Sequence, residues 1–305
     1  MASQPRREEF QIGSKHHRLF PNLLIIPALL PLVLFILLPA LQTIYMSFHR
    51  MTFGLPNEYV GLLNFIDMFK DRLFKRAFLN TLLFSFSVVT GQISLGLATA
   101  VLMSTGFKFQ KFYISIIMIP YAVSEVVAII IWKYMLEPEV GIINFLLDGV
   151  FGLGQVEWAS NATQAWIVII LLRIWLTFPF SFLILYSALI GVPKELYESA
   201  FIDGASNWQG FRLISVPLIT PAIMVATIFG FVFEFRNFAT VWILTEGGPL
   251  HKTELLSTLL YRQAFTFWEF GAASAIAMTM TVLTFCIALY YLRSMYQEMF
   301  VKQKA

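Results

Sequence analysis

Long apolar stretches separated by short polar connections run through almost the whole chain. Six of them contain about 20 or more predominantly apolar residues, the length that a helix needs to cross the hydrocarbon of a bilayer. They cover residues 23–47, 78–103, 112–135, 165–189, 217–241 and 271–292. The pattern predicts an all-α integral membrane protein with six transmembrane helices.

The composition agrees with this prediction. Of the 305 residues, 58% are hydrophobic and only 13% are charged, whereas soluble domains contain about 45–50% apolar and about 25% charged residues. Membrane lipid is therefore an expected partner. The net charge of +3 is too small to indicate a nucleic-acid partner, and the single cysteine, Cys286, excludes an internal disulfide. We interpret that cysteine as a small packing residue.

The first apolar stretch follows a basic tail and has two interpretations, a signal peptide or a retained helix. It is too long for a signal-peptide core and lacks a small-x-small cleavage site, so we predict a retained span. The expected organisation is a cytoplasmic N-terminal tail, a first helix with an outer interfacial helix, a core that contains the other five spans and a cytoplasmic C-terminal tail. These regions cover residues 1–20, 21–76, 77–294 and 295–305.

The orientation follows from the lysines and arginines of the connections, which favour the cytoplasmic side. Placing both termini in the cytoplasm puts eleven of these residues inside and seven outside. The outer loop 137–164 contains none, which supports this choice. The first outer connection is itself basic, and its segment 64–76 mixes apolar and charged residues at helical spacing. We predict that this segment forms one interfacial helix.

A polar hairpin, residues 193–217, separates the fourth and fifth stretches on the predicted cytoplasmic side. Pro193 suits the first turn of a helix, and Gly204 suits the left-handed residue that ends one. Ser206 and Gln209 have the spacing of a capping box for a second short helix. The simpler interpretation is a well-capped turn that joins two spans. The other is a docking element.

The docking interpretation gains from a resemblance. Glu198-Ser199-Ala200, then Gly204 and Ile214-Ser215-Val216-Pro217, resemble the EAA loop of permease subunits from ABC importers, Glu-Ala-Ala, three residues, Gly, nine residues, Ile-x-Leu-Pro. Ser199 and Val216 are mild departures. The resemblance implies that the hairpin is the coupling helix that docks into the ATP-hydrolysing subunit. The residues expected to make this contact are Glu198, Ser199, Ala200, Phe201, Asp203, Gly204 and Ala205.

Further segments resemble the carbohydrate-uptake branch of the same superfamily, the maltose and glycerol-phosphate type. They are Tyr59-Val60-Gly61-Leu62-Leu63-Asn64, Ile119-Pro120-Tyr121, Gly141-Ile142-Ile143-Asn144, Thr245-Glu246-Gly247-Gly248-Pro249 and Tyr261-Arg262-Gln263-Ala264-Phe265. The resemblance implies a type I ABC importer permease fold with six helices in a bacterial cytoplasmic (inner) membrane. The implied partners are a second homologous permease subunit, two ATP-binding cassette subunits and an extracytoplasmic solute-binding protein.

The chain itself carries no motif for ATP hydrolysis. A phosphate-binding P-loop requires a Gly-Lys dipeptide, and this sequence contains none. Its four histidines lie in loops or at span ends, away from the single cysteine, so no metal site is predicted. We therefore expect a transport subunit that is not an enzyme and holds no cofactor, while Mg-ATP is used by the partner ATPase subunits.

Ionisable residues inside the predicted spans are costly in lipid and normally face a partner, the bundle interior or a water-filled path. An Arg173–Glu234 salt bridge that joins the fourth and fifth spans is one interpretation. In the other, which the resemblance to maltose-type permeases implies, the two spans line the substrate pathway, with aromatic rings stacking on sugar faces. The expected pathway residues are Glu125, Arg173, Leu176, Thr177, Phe180, Gly230, Phe233, Glu234, Arg236 and Asn237.

The expected cargo is a sugar or sugar derivative. Arg173 and Glu234 stand where the maltose-type pattern has neutral amides, and an arginine fork matches oxyanions, so a phosphate-, sulfonate- or carboxylate-bearing sugar is one hypothesis. A self-sufficient secondary transporter or channel is the main rival, although such proteins usually contain paired repeats and we find none. A membrane enzyme is the second rival. Within the ABC permeases, a subunit for peptides or ions is a further interpretation.

Overall fold

The computed structural model describes residue 27, residues 29–152 and residues 154–296. Five helices of this part are long and apolar enough to cross a membrane, and a bent helix pair makes six if the pair is counted as one span. In chain order the elements are α1 (Leu29–Ser47), β1 (His49–Arg50), β2 (Glu58–Tyr59), α2 (Leu63–Lys70), α3 (Arg72–Ser104), α4 (Gln110–Ala122), α5 (Glu125–Met135), α6 (Ile142–Gly149), α7 (Ala162–Ile190), α8 (Lys194–Ile202), α9 (Asn207–Phe235), α10 (Ala239–Thr245), α11 (Leu256–Tyr261) and α12 (Phe270–Tyr296).

Three predicted spans are confirmed directly, because residues 78–103, 165–189 and 271–292 lie within α3, α7 and α12. The first span is confirmed from residue 29 onward, and residues 23–26 and 28 of that prediction lie outside the described residues. So do the N-terminal tail 1–20 and residues 297–305 of the predicted C-terminal tail. The predicted boundaries between tails, first helix and core remain predictions.

The prediction of one continuous third span, 112–135, is wrong. The chain bends by 92° between α4 and α5, because Val123 and Ser124 both leave the helical conformation, with ψ of 142° and 129°. Glu125 is the first residue of α5, where a carboxylate is favourable because the N-terminal end of a helix carries partial positive charge. The bend also brings that carboxylate to α7.

The predicted fifth span, 217–241, has other bounds in the structure: α9 begins at Asn207, and it stops at Phe235, six residues before the predicted C-terminal end. The backbone turns at Arg236 and resumes as α10 at Ala239. Side chains satisfy the interrupted backbone: the carbonyl of Asn237 accepts a hydrogen bond from the Ser257 hydroxyl of α11. A helix can end inside an apolar environment when such partners replace its own hydrogen bonds.

The interfacial helix predicted over 64–76 is two helices. α2 ends at Lys70, and Asp71 is the N-cap of α3, with its carboxylate accepting a hydrogen bond from the Leu73 backbone N–H at 2.9 Å. Apolar periodicity continues across this single extended residue, so the pattern alone predicts one helix. The transmembrane helix α3 therefore begins at the basic segment that was assigned to the surface.

The centre of the fold is formed by α3, α7 and α9, with α12 against α9. Phe84 of α3 and Phe182 of α7 are almost completely buried between these helices. By contrast, none of the apolar window in α1 is buried. Exposed apolar side chains are expected on helices whose solvent is lipid, where helix association depends on close packing and polar contacts. A two-stranded antiparallel ribbon, β1 and β2, follows α1, with His49 opposite Tyr59.

Candidate functional site

Three charged side chains from three helices meet between α5, α7 and α9. The Arg173 guanidinium of α7 donates through Nε to Glu234 of α9, at 2.9 Å to Oε2 and 3.0 Å to Oε1. Its Nη1 donates to Oε1 of Glu125, the first residue of α5, at 2.8 Å. The bend between α4 and α5 is therefore what delivers the second carboxylate to the arginine.

The three groups differ in exposure. The Arg173 side chain is 8% exposed and that of Glu234 is 1% exposed, whereas that of Glu125 is 44% exposed. A buried charge without a partner is strongly destabilising. Glu234 therefore depends on Arg173, whereas Arg173 also has Glu125 as a partner. One guanidinium against two carboxylates gives the cluster a formal charge of −1. The predicted Arg173–Glu234 salt bridge is confirmed, and Glu125 joins it.

A small cavity of about 220 Å³ opens beside this cluster. Eight of the predicted pathway residues line it: Glu125, Arg173, Leu176, Thr177, Phe180, Gly230, Phe233 and Glu234. Phe180 is its aromatic centre, with ring centroids 6.2 Å from Tyr121 and 6.3 Å from Phe233. The cavity thus combines a charged end with an aromatic wall, and a mostly apolar lining with a few polar groups is typical of small-molecule sites.

The sequence-based prediction missed Gln92. This residue of α3 is 2% exposed, lines the cavity, and its Nε2 has no hydrogen-bond partner among the described residues. A buried amide without a partner is rare in proteins, so the Gln92 amide is a free hydrogen-bond donor on the cavity wall. A polar residue in the middle of an apolar stretch was the available signal. Gly230 makes the approach of α9 to this amide possible, because a Cβ there would lie 2.2 Å from Nε2.

Two predicted pathway residues are not on the cavity wall. Asn237 lies behind it, where its amide donates to Glu125 at 3.3 Å and to Thr240 at 3.2 Å. Arg236 lies apart from this group, because it is exposed and lines a separate groove with Val232 and residues of α12; its place on the substrate pathway stays a prediction. Residues two positions apart on a helix point in roughly opposite directions, so Arg236 faces away from Glu234.

The first helix and the turn of the hairpin 193–217 have the geometry predicted for them, whereas the predicted second short helix is not separate, because residues 207–235 form the single helix α9. α8 ends before Asp203, and Gly204 follows with φ of +85°, a conformation that residues with a Cβ rarely adopt. The capping box is formed in both directions, with Ser206 and Gln209 exchanging side-chain and backbone hydrogen bonds. The Tyr197 hydroxyl is 2.7 Å from Ser215 Oγ, which ties α8 to the beginning of the next span.

Among the coupling residues expected from the sequence, Glu198, Ser199, Phe201, Asp203 and Gly204 are exposed, and Ala200 and Ala205 are half-buried. Two apolar residues that were not predicted are more prominent. Ile202 is 87% exposed and Trp208 is 66% exposed, one on each side of the Gly204 turn. Apolar residues inside a polar loop were the signal that could have identified them, since contiguous exposed apolar groups mark interaction surfaces.

This chain is similar to known proteins over most of its length. Residues 92–297 match the family described as binding-protein-dependent transport system inner membrane component. The trehalose/maltose transport system permease protein MalF of Thermococcus litoralis is 32% identical, with 89% of this chain and 92% of that protein covered. The sulfoquinovosyl glycerol transport system permease protein SmoG of Agrobacterium fabrum is 33% identical over 90% of both chains.

A solved bacterial ABC transporter involved in the import of the acidic polysaccharide alginate has the same fold. Its chain superimposes with a TM-score of 0.82 at 22% identity, covering 92% of this chain and 96% of that one. The protein is a multi-pass permease subunit of the ABC importer class. It belongs to the family of binding-protein-dependent transport system inner membrane components, a family of permeases that are not themselves enzymes.

Proposed function

We propose that this chain is the transmembrane permease subunit of an ATP-driven importer for a sugar or sugar derivative. Its relatives are named for trehalose/maltose and for sulfoquinovosyl glycerol, which supports a carbohydrate or glycoside cargo. In this proposal a solute-binding protein delivers the cargo, two partner ATPase subunits supply energy from Mg-ATP, and a second homologous permease completes the path.

One observation carries the proposal: the exposed hairpin and the polar cavity are built on the same two helices. α7 leads into the hairpin and contributes Arg173, Thr177 and Phe180 to the cavity. α9 leaves the hairpin and contributes Gly230, Phe233 and Glu234. A displacement of the hairpin therefore acts on the cavity directly through α9, which is continuous with the hairpin, and on α7 through the short connection 191–193.

The size of the cavity supports the need for a second permease. At about 220 Å³ it is smaller than the roughly 300–1,000 Å³ of typical small-molecule sites. Phe233 and Tyr121 on its wall are about half exposed, so the wall is open to a partner surface. A second subunit facing this wall would enlarge the cavity into an enclosed path and would cover these rings.

The charges of the Arg173, Glu234 and Glu125 cluster affect whether the cargo can be anionic. Arg173 is already bonded to two carboxylates, so an anionic cargo can reach it only by displacing one of them. Glu125 is the carboxylate able to leave, because nearly half of its side chain is exposed. In this conformation the cavity favours neutral hydroxyl groups, for which Gln92 and Thr177 are suitable partners. Capture of an anionic sugar by Arg173 remains a prediction that requires Glu125 to move.

The orientation supported by the lysine and arginine distribution puts the hairpin in the cytoplasm, where ATPase subunits are. The test is ATP hydrolysis and uptake by the complete complex, reconstituted in liposomes with its binding protein. We expect Ile202→Asp, Glu198→Lys and Gly204→Pro to abolish binding-protein-stimulated hydrolysis while the subunit still inserts. Phe109→Asp is the matched control. Phe109 is an exposed ring at a positive φ in the loop between α3 and α4, which lies at the same end of the fold as the hairpin.

Normal stimulation in the hairpin variants would contradict the coupling role. Loss of stimulation in Phe109→Asp to the same degree would show that any charge on this face is harmful. Uptake by the polypeptide alone under an ion gradient would favour a secondary transporter. If a reagent outside the membrane labels a cysteine placed at residue 202, the hairpin lies outside the cell. The predicted orientation would then be wrong, and an ATPase in the cytoplasm could not reach the hairpin.

A further inference from the structure

A second cavity, of about 430 Å³, lies at the end of the fold opposite the hairpin. It is bounded by the segment after α1, by α2, by the beginnings of α3 and α12 and by the connection between α11 and α12. It shares no lining residue with the cavity beside Arg173. Its volume falls within the roughly 300–1,000 Å³ of typical small-molecule sites, so it is a separate candidate for a binding site.

Charged side chains of both signs line this cavity without pairing with one another. They are Arg50 of β1, Asp67 of α2, Asp71 at the start of α3 and Glu269 before α12. None of them forms a salt bridge with any residue that the structure describes. Asp71 alone has a side-chain hydrogen bond in the described part of the chain, from the Leu73 backbone N–H. Opposite charges therefore surround one space and leave it open.

The walls of this space are fixed by contacts of their own. Asn64 of α2 donates through Nδ2 to the carbonyls of Ser47 and His49, both at 2.9 Å. Gly271 of α12 approaches the same segment so closely that a Cβ there would lie 2.2 Å from the His49 carbonyl oxygen. Its backbone N–H donates to the carbonyl of Met51 at 3.3 Å. The cavity is thus held between three joined elements.

A neutral acceptor also lines the cavity. The Oε1 atom of Gln263 is buried and has no hydrogen-bond partner among the described residues. Buried polar atoms in native proteins normally have a partner, so this oxygen indicates a donor that a molecule in the cavity can supply. The carboxylates of Asp67 and Glu269 are acceptors as well. The occupant is therefore expected to carry N–H or O–H donors.

The positions of the acidic groups argue against a metal ion as this occupant. Although three carboxylates line the cavity, no group of three His, Cys, Asp or Glu side chains in the described part of the chain is placed to hold one ion. A larger, cationic molecule fits better, because three carboxylates against one guanidinium give the lining a formal charge of −2. Arg50 leaves a position for an anionic group on the same molecule.

The cavity lies beside a surface that suits lipid. None of the apolar window of α1 is buried, and α2 exposes Ile66 and Phe69 while it also carries Asp67 and Lys70. A helix with apolar and charged residues on its surface is typical of the plane where headgroups and acyl chains meet. A phospholipid headgroup can therefore enter the cavity while its acyl chains lie along the exposed helices.

The lining selects among headgroups. A primary ammonium has several N–H donors for carboxylates and for an amide oxygen. A quaternary ammonium has none and is usually recognised by aromatic rings, and Phe74 is the one aromatic residue among the described residues that line the cavity. An uncharged headgroup would leave the acidic residues without a cation. The lining thus favours a primary ammonium joined to a phosphate.

We propose that this cavity binds the headgroup of phosphatidylethanolamine. Asp67, Glu269 and the Gln263 amide oxygen accept hydrogen bonds from the ammonium, and Arg50 binds the phosphate, since the guanidinium fork matches phosphate oxygens. The bound lipid joins the segment after α1 to α2 and α12. The inference goes beyond the proposed function, because it depends neither on the cargo nor on the ATPase subunits.

The experiment is lipid binding to the purified importer complex, measured by native mass spectrometry. The lipids differ only in methylation of the headgroup nitrogen, from phosphatidylethanolamine through its monomethyl and dimethyl forms to phosphatidylcholine. Methylation removes N–H donors and keeps both the charge and the phosphate. We expect the apparent Kd to rise at each step, to about tenfold for phosphatidylcholine, the size of effect that loss of charged hydrogen bonds produces.

Variants assign this preference to the cavity. Asp67→Asn and Glu269→Gln should each raise the apparent Kd for phosphatidylethanolamine about threefold, as expected for partly exposed charge pairs. The double variant should raise it about tenfold and should no longer distinguish the methylated lipids. Arg50→Gln should weaken the binding of phosphatidylethanolamine, phosphatidylcholine and phosphatidylglycerol alike, because all three contain the phosphate.

Matched controls are Glu58→Gln and Arg72→Gln. Both residues are exposed charges at the same end of the fold, and neither lines the cavity. Both variants should bind lipid as the wild type does. All the substituted residues are exposed, so thermal unfolding without added lipid should match the wild type in every variant. Added phosphatidylethanolamine should raise the Tm of the wild type more than that of Asp67→Asn/Glu269→Gln.

The proposal is overturned if the wild type binds phosphatidylethanolamine and phosphatidylcholine equally, or if Asp67→Asn/Glu269→Gln keeps the wild-type preference. Stronger binding of phosphatidylglycerol than of phosphatidylethanolamine would also overturn it. Glycerophosphoethanolamine carries the same headgroup without acyl chains and distinguishes a lipid from a soluble ligand. It should displace the lipid only at a much higher concentration, and displacement at an equal concentration would show that the lipid assignment is wrong.

Discussion

Replacing Arg173 by methionine removes the only cation from a cluster that contains two carboxylates. Glu234, 1% exposed, would then be a buried carboxylate without a cation, because Arg173 is its only salt-bridge partner in the described part of the chain. Breaking a buried ion pair from one side costs about 3–5 kcal/mol. Since 1 kcal/mol shifts Tm by roughly 2–4 °C in a protein of about this size, we expect Tm to fall by roughly 6–20 °C.

The reverse substitution, Glu234→Met, should cost less. It leaves Arg173 bonded to Glu125 at 2.8 Å, so the buried guanidinium keeps a carboxylate partner. The double variant Arg173→Met/Glu234→Met removes both buried charges together, and Glu125 keeps solvent contact and Asn237. Replacement of a buried pair by apolar groups of similar volume is often neutral or stabilising. We therefore expect the double variant to lie within about 1.5 kcal/mol of the wild type.

The assay is the thermal unfolding of the purified complex, with all variants heated at one rate. Glu125→Gln is the control, because Glu125 is half exposed and exposed ion pairs contribute at most about 1 kcal/mol. The reasoning is refuted if the double variant is as unstable as Arg173→Met, or if Glu125→Gln is equally damaging. Uptake by a stable double variant then separates the two interpretations. Retained transport makes the pair a structural link, and lost transport places it in the path.

Three further substitutions have defined outcomes. Gly230→Ala should lower the free energy of unfolding by about 1–3 kcal/mol, because its Cβ would overlap the Gln92 amide; unchanged thermal unfolding would mean that the two helices separate easily. Gly204→Ala should slow coupled ATP hydrolysis through strain of about 1–3 kcal/mol at φ of +85°, and a normal rate would show that the turn tolerates it. Tyr197→Phe removes the hydrogen bond to Ser215, which is worth about 1 kcal/mol; limited proteolysis should cut the hairpin faster, and an unaltered cleavage rate would contradict this.

Local sequence patterns were sufficient to predict several of the spans and the hairpin turn of this protein. The apolar lengths of α3, α7 and α12 could be predicted because the bilayer fixes how many residues a span needs. The hairpin turn could be predicted because Gly204, Ser206 and Gln209 act on their own neighbouring backbone. Most of the cavity could be identified as well, although only through resemblance to known permeases, because no local rule indicates which faces of two helices meet.

The breaks in the helices could not be predicted. Apolar periodicity is the same on both sides of Val123, and a helix interruption there is favourable only because Glu125 meets Arg173 from another span. In the same way, α9 ends at Phe235 because Ser257, more than twenty residues later, satisfies the backbone after it. Hydrogen bonds between residues distant in sequence replace those that the helix loses.

The sequence by itself determined that this chain crosses a membrane, where its polar hairpin lies and which ionisable residues the spans contain. Tertiary structure decided that Arg173 joins Glu234 and Glu125, that Arg236 faces elsewhere and that Gln92 enters the cavity. The division has a physical reason. Burial in lipid and capping depend on composition and neighbours along the chain, whereas the pairing of buried charges depends on which helix faces come within about 3 Å of each other.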